Sequence, residues 1–199
     1  MGRLAIFVDG GYVDSLARYE FGGVRLDYAK LSADVTAVVD ERTAEPVDLL
    51  RTLYYHCLPY QSMKPTEEEA ARYGRAQEFY SRLRRQPRYE VRLGRLAYRG
   101  QNDQGQPIFQ QKRVDLLLGL DFALLAGKHQ ISHAAVLSGD SDLLPAVAVA
   151  KQEGVGVWLF HGPARSKVTG KPTYALELWE AADERIELTQ QFFDGAARP

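Results

Sequence analysis

Leu4-Ala5-Ile6-Phe7-Val8-Asp9-Gly10-Gly11 and, far down the chain, Ala134-Ala135-Val136-Leu137-Ser138-Gly139-Asp140-Ser141-Asp142 follow one plan. Each is a short unbroken apolar run that ends at glycine and aspartate. An apolar run of this length, closed by a turn, reads as a strand buried on both faces, as strands of a parallel sheet are. Sites in open parallel sheets form outside the carboxyl ends of the strands. If the two runs are neighbours, Asp9, Asp140 and Asp142 therefore share one rim.

Working outward, helical and extended patterns alternate. A helix begins near Tyr12 and another runs from about Asp27 to Arg42, followed by a strand over Leu49–Cys57. Pro65 opens a helix that reaches about Arg85. Glu67-Glu68-Glu69 in its first turn complement the helix dipole, and Ala76, Phe79 and Leu83 mark its inward face. Tyr89–Tyr98 reads as a strand, Gly100–Pro107 as a turn or loop, and Ile108-Phe109 as a short returning arm. Then come a mostly apolar helix over Lys112–Ala126, the Ala134–Leu137 strand, a helix over Asp142–Glu153 and a strand over Gly156–Phe160. Thr173–Ala182 reads as helical and Arg185–Leu188 as extended. This order predicts an α/β fold, a mostly parallel central sheet with helices on both faces. One domain over 1–193 is expected, with Asp194–Pro199 a frayed tail.

The helix after Lys112 adds to the acidic rim. Asp115 and Asp121 interrupt Val114-Asp115-Leu116-Leu117-Leu118-Gly119-Leu120-Asp121-Phe122-Ala123-Leu124-Leu125. An unpaired buried carboxylate costs several kcal/mol. A hard divalent cation, Mg²⁺ or Mn²⁺, supplies the compensation through oxygen ligands. Six residues on a helix turn the two side chains about 120° apart. Asp115, nearer the helix start, is therefore expected on the ion, and Asp121 behind it. Each aspartate also has a plain structural role open to it: Asp9 as a turn former, Asp140 or Asp142 as a helix cap, Asp115 as a dipole partner.

Composition bounds the reading. The 199 residues are 45% hydrophobic and 26% charged, as in an ordinary globular protein. No apolar run is long enough to span a bilayer, and the N-terminus is a poor signal peptide. One cysteine excludes an internal disulfide framework and fits a reducing, cytoplasmic setting. The net charge of −1 hides a polarity, because Lys64–Arg99 holds ten Lys and Arg against five Glu. Local basic excess is the footprint of a polyanion partner; a solvated face laced with ion pairs is the alternative.

Three segments together resemble the NYN domain, in particular the LabA-like branch, of the PIN-like metal-dependent ribonuclease superfamily. They are Phe7-Val8-Asp9-Gly10-Gly11-Tyr12, then Lys112-Arg113-Val114-Asp115-Leu116 with Asp121, then Leu137-Ser138-Gly139-Asp140-Ser141-Asp142-Leu143-Leu144-Pro145. A weaker match lies in Leu176–Leu188. The resemblance implies a Rossmann-like PIN fold, divalent metal at Asp9, Asp115, Asp140 and Asp142, and RNA as substrate, with single-stranded DNA as the alternative. One departure stands out: many family members follow the first aspartate with an Asn-containing turn, and Gly10-Gly11-Tyr12 replaces it here.

The chemistry expected is phosphodiester hydrolysis by metal-activated water. Ser138 and Ser141 would stand behind the carboxylates. Lys112, Arg75 and Arg82, and Arg165, Lys167 and Lys171 are candidate phosphate contacts, which give affinity and salt dependence rather than sequence choice. Homo-oligomerisation is open. Two rival readings remain: a non-catalytic RNA-binding or protein-interaction module that keeps the acidic pocket, and a phosphatase using an aspartate nucleophile, which is weakened by glycine at position 11.

Overall fold

The apolar runs at Leu4–Val8, Ala134–Leu137 and Val157–Phe160 become central strands, and longer stretches become the helices that cover them. In chain order the elements are β1 (Gly2–Asp9), α1 (Gly10–Tyr19), α2 (Tyr28–Arg42), β2 (Val47–Cys57), α3 (Glu67–Arg84), β3 (Tyr89–Gln101) and β4 (Pro107–Lys112). There follow α4 (Val114–Gly127), β5 (His133–Leu137), α5 (Leu144–Gln152), β6 (Gly156–His161), α6 (Leu176–Ala181), β7 (Glu184–Glu187) and α7 (Gln190–Gly195). The structure is a computed structural model that describes residues 1–102, 104 and 107–198. Of the sequence-predicted loop at Gly100–Pro107, Gly100 and Gln101 belong to β3 and Pro107 to β4, and residues 103, 105 and 106 lie outside the described residues.

Among the described residues the strands form one sheet in the order β4-β3-β2-β1-β5-β6-β7. Neighbours from β3 to β7 run parallel, and only the β3–β4 pair is antiparallel. The fold is therefore the α/β, mostly parallel sheet expected from the sequence. The chain builds leftward from β1 through β2 to β3, then returns to place β5 on the other side of β1. That reversal opens a crevice between the carboxyl ends of β1 and β5, where Val8 pairs with Leu137.

Alternation along β1 separates two cores. Leu4, Ile6 and Val8 pack with α1, α2, α3 and α7, whereas Ala5 and Phe7 pack with α4, α5 and α6. The period of two therefore aims Asp9 at the α4–α5 side. Phe7 meets Phe122 of α4 with ring centroids 4.9 Å apart. On the other face Tyr54 is fully buried among Tyr28, Phe79 and Tyr80. Thr66 caps α3 in a reciprocal box with Glu69, which places the helix start at Glu67, two residues beyond Pro65.

Three expectations are corrected. Lys112 ends β4 rather than opening a helix; Arg113 turns the chain at φ 74°, and α4 starts at Val114. The stretch after Asp140 is a 3-10 turn over Ser141–Leu143 followed by α5, with Pro145 in the first turn where its missing N–H costs nothing. The tail is not frayed through Arg198. Phe193 and Ala196 are fully buried, Leu26 bridges Ala197, and the Arg198 N–H donates to Arg25 O at 2.8 Å. The Phe193 ring completes the aromatic packing beside α1, its centroid 4.3 Å from that of Phe21.

Candidate metal centre

Two glycines let the chain come close enough to make the site. A Cβ on Gly10 would collide with the Tyr54 phenol, so the turn after Asp9 can lie on Tyr54 only without a side chain. A Cβ on Gly139 would come within 2.5 Å of Thr173 O and 2.8 Å of the Tyr12 ring. The segment at Thr173–Ala175 crosses directly over Gly139, and the Ala175 N–H donates to Gly139 O at 2.9 Å.

The aspartates gather at the predicted crevice. Asp9 ends β1 and caps α1, its Oδ1 accepting from the Tyr12 N–H at 3.1 Å. Asp140 follows β5 and caps the 3-10 turn, accepting from the Asp142 N–H at 2.9 Å. Asp115 sits in the first turn of α4. Carboxylate oxygens of Asp115, Asp140 and Asp142 all lie within 4.8 Å of one another. Asp9 is not one of those three, but it lines the same open cleft of about 550 Å³ with Asp115, Asp140, Tyr12, Ser15 and Thr173. Ser138 is buried behind them. Its hydroxyl donates to Asp9 Oδ2 at 3.4 Å and accepts from the Asp140 N–H at 3.3 Å, so it couples the β1 and β5 loops. Ser141 borders this cleft and an adjoining, mostly apolar one lined by Leu116, Leu120 and Pro145.

The electrostatics are those of surplus negative charge. Burial raises the Asp9 carboxyl above its ordinary value, opposed by the Tyr12 N–H and reinforced by Asp115. Burial also raises Asp115, with Asp140 and then Asp142 adding repulsion. Among the described residues no Lys or Arg pairs with any of the four. Oxygen donors only, convergent and uncompensated, fit a hard divalent cation. Tyr12, whose phenol burial pushes up to about 12, stays protonated, and its oxygen accepts from the Gly162 N–H at 2.8 Å.

The remaining candidates scatter. Asp121 is not behind the acidic group: its Oδ2 accepts from the Tyr55 hydroxyl at 2.9 Å and from Arg92 Nε at 3.1 Å, in a separate cavity with Leu53 and Leu125. Its neighbours compensate it without an ion. Lys112 is exposed at the end of β4, three residues before Asp115. Arg75 and Arg82 are exposed on α3, with Arg82 paired to Glu78 at 3.2 Å. Arg165, Lys167 and Lys171 lie in the loop after β6. Glu20 clasps that loop through the Ser166 hydroxyl and the Lys167 N–H. The same loop continues into Thr173, which lines the cleft, whereas none of the three basic residues does. Sequence reasoning missed Tyr12 and Thr173 as cleft residues. Only the crowding at Gly139 could have signalled them, and that contact spans distant segments.

No curated protein matches the chain. The profile of the NYN domain matches residues 3–189, from the first residues of β1 to beyond β7. With the aspartates at its crevice and a sheet of this order, the chain belongs to the NYN domain family.

Proposed function

We propose that this protein is a divalent-metal-dependent ribonuclease of the LabA-like kind. The observation that carries the reading is the convergence of Asp115, Asp140 and Asp142 within 4.8 Å at the β1–β5 crevice, with Asp9 lining the same cleft as Asp115 and Asp140. These residues would hold Mg²⁺ or Mn²⁺. Such an ion supplies Lewis-acid polarisation of phosphate and an activated water. The chain's own contribution is to fix the carboxylates. Ser138 and the Tyr12 N–H orient Asp9, the Asp142 N–H orients Asp140, and the start of α4 presents Asp115. The open cleft admits an extended polymer rather than enclosing a small ester. Among the described residues no helix is long and apolar enough to cross a membrane.

Incubation of the purified protein with labelled RNA and Mn²⁺ tests this. Wild type is expected to cleave, and Asp140→Asn to lose at least a hundredfold in rate. Equal cleavage by both proteins would overturn the mechanism. A second reading, binding without hydrolysis, is favoured by one observation: both Asp9 oxygens already accept hydrogen bonds from the protein. Under that reading RNA binds and stays intact.

A further inference from the structure

The last parallel pairing of β3 joins Gly94 to Cys57, yet β3 continues to Gln101 and β4 returns beside it. Seven residues past the sheet make an arm roughly 23 Å long at the usual strand rise. The arm leaves the carboxyl edge, the edge on which Asp9 and Asp140 lie, and β4 leads back through Arg113 to Asp115. One end of this arm is therefore tied to the acidic centre.

Its two faces differ in chemistry. Tyr98 lies opposite Phe109, and Tyr60 packs on both, with ring centroids 4.9 Å from Phe109 and 6.2 Å from Tyr98. Tyr98 remains 49% exposed, leaving a ring surface open beside the cluster. Alternation puts Arg95 and Arg99 on the other side, where Arg95 is opposite Lys112. These three side chains are exposed, as is Arg113 at the root. Among the described residues no carboxylate pairs with any of these four, and Arg99 meets only Gln110 Oε1 at 2.9 Å. A strand ribbon whose sole purpose was to close a sheet edge would gain nothing from unpaired cations opposite one another, because like charges in that position repel. A polyanion relieves the repulsion, and exposed rings accept bases of any sequence.

We propose that the β3–β4 arm grips single-stranded RNA next to the acidic centre, its cations taking phosphates and Tyr98 stacking a base. This rests on RNA being the ligand of the centre. The arm adds to that reading a selection for unpaired strands, because a base can reach a ring only when it is free of a duplex.

The test is fluorescence anisotropy of a labelled single-stranded RNA and of its duplex, in EDTA so that no cleavage occurs. Wild type should prefer the single strand. Arg95→Gln with Arg99→Gln should weaken binding at least tenfold and reduce the salt slope by about 1.4, that is about 0.7 per lost phosphate contact. Tyr98→Leu, which keeps apolar packing on Phe109, should weaken binding roughly tenfold with little change in salt slope. Hydrolysis of bis-p-nitrophenyl phosphate, too small to reach the arm, should be unchanged in all variants. Equal RNA affinity in wild type and variants, duplex preference, or no binding by wild type would each overturn the arm. Loss of binding in the variants while wild type with Mn²⁺ leaves RNA whole would sustain the arm and sink the nuclease reading.

Discussion

At the scale of single residues, the acidic centre is a set of groups held at some cost to the fold. Asp9 and Asp115 both titrate above the ordinary 3.8 because burial disfavours their charge. Between that value and their raised values the folded chain holds more protons than the unfolded one, so these groups make stability fall as pH rises across that window; below 3.8 the penalty is absent. Replacing both with asparagine should therefore raise the melting temperature more at pH 7 than at pH 4. Millimolar Mn²⁺ should shrink the gap by stabilising the wild type alone, by about 2.7 kcal/mol at a hundred times its dissociation constant. Calorimetry at the two pH values, with and without the ion, reads this directly; a gain that ignores pH and metal would contradict it. Asp121 belongs outside this set. Its bonds to Tyr55 and Arg92 predict that Asp121→Asn leaves metal-dependent stabilisation intact while lowering stability.

At the scale of elements, the decisive contact is a loop crossing a glycine. Gly139→Ala pushes a methyl group into Thr173 O and the Tyr12 ring, neither of which can retreat without moving the cleft wall. Overpacking of this kind costs about 1–3 kcal/mol, and RNA cleavage should fall with it even though no carboxylate is touched. Unchanged turnover in Gly139→Ala would show that the wall does not matter. This contact also marks where the sequence stops being readable. The runs ending at Asp9 and at Leu137 announce strands because burial on both faces leaves no polar position within them. The rim residues follow from strand polarity alone. Asp121 misled because a carboxylate in an apolar helix looks the same whether an ion or an arginine compensates it, and Arg92 lies far away in the chain. The expected helix at Thr173 fails for a related reason: Thr173 and Tyr174 are committed to covering Gly139, so α6 begins only at Leu176.

At the scale of the whole molecule, the two ends of the chain close one core. α7 inserts Phe193 against Phe21, and the strip beyond it pairs with Leu26. Phe193→Ala should cost about 3–5 kcal/mol, as large-to-small changes at fully buried aromatic sites do, measurable as a lowered urea midpoint with the metal affinity unchanged. The strand order carries a further consequence, one of timing. β1 is flanked by β2 and β5, and β5 begins 124 residues after β1 ends. At translation rates of roughly 5–20 residues per second, one edge of this buried strand stays bare for roughly 6–25 seconds on each nascent chain. Asp9 waits through the same interval without its partner loop. The acidic crevice cannot form until the loop that carries Asp140 has been made, and the bare edge is where a chaperone would be expected to bind first.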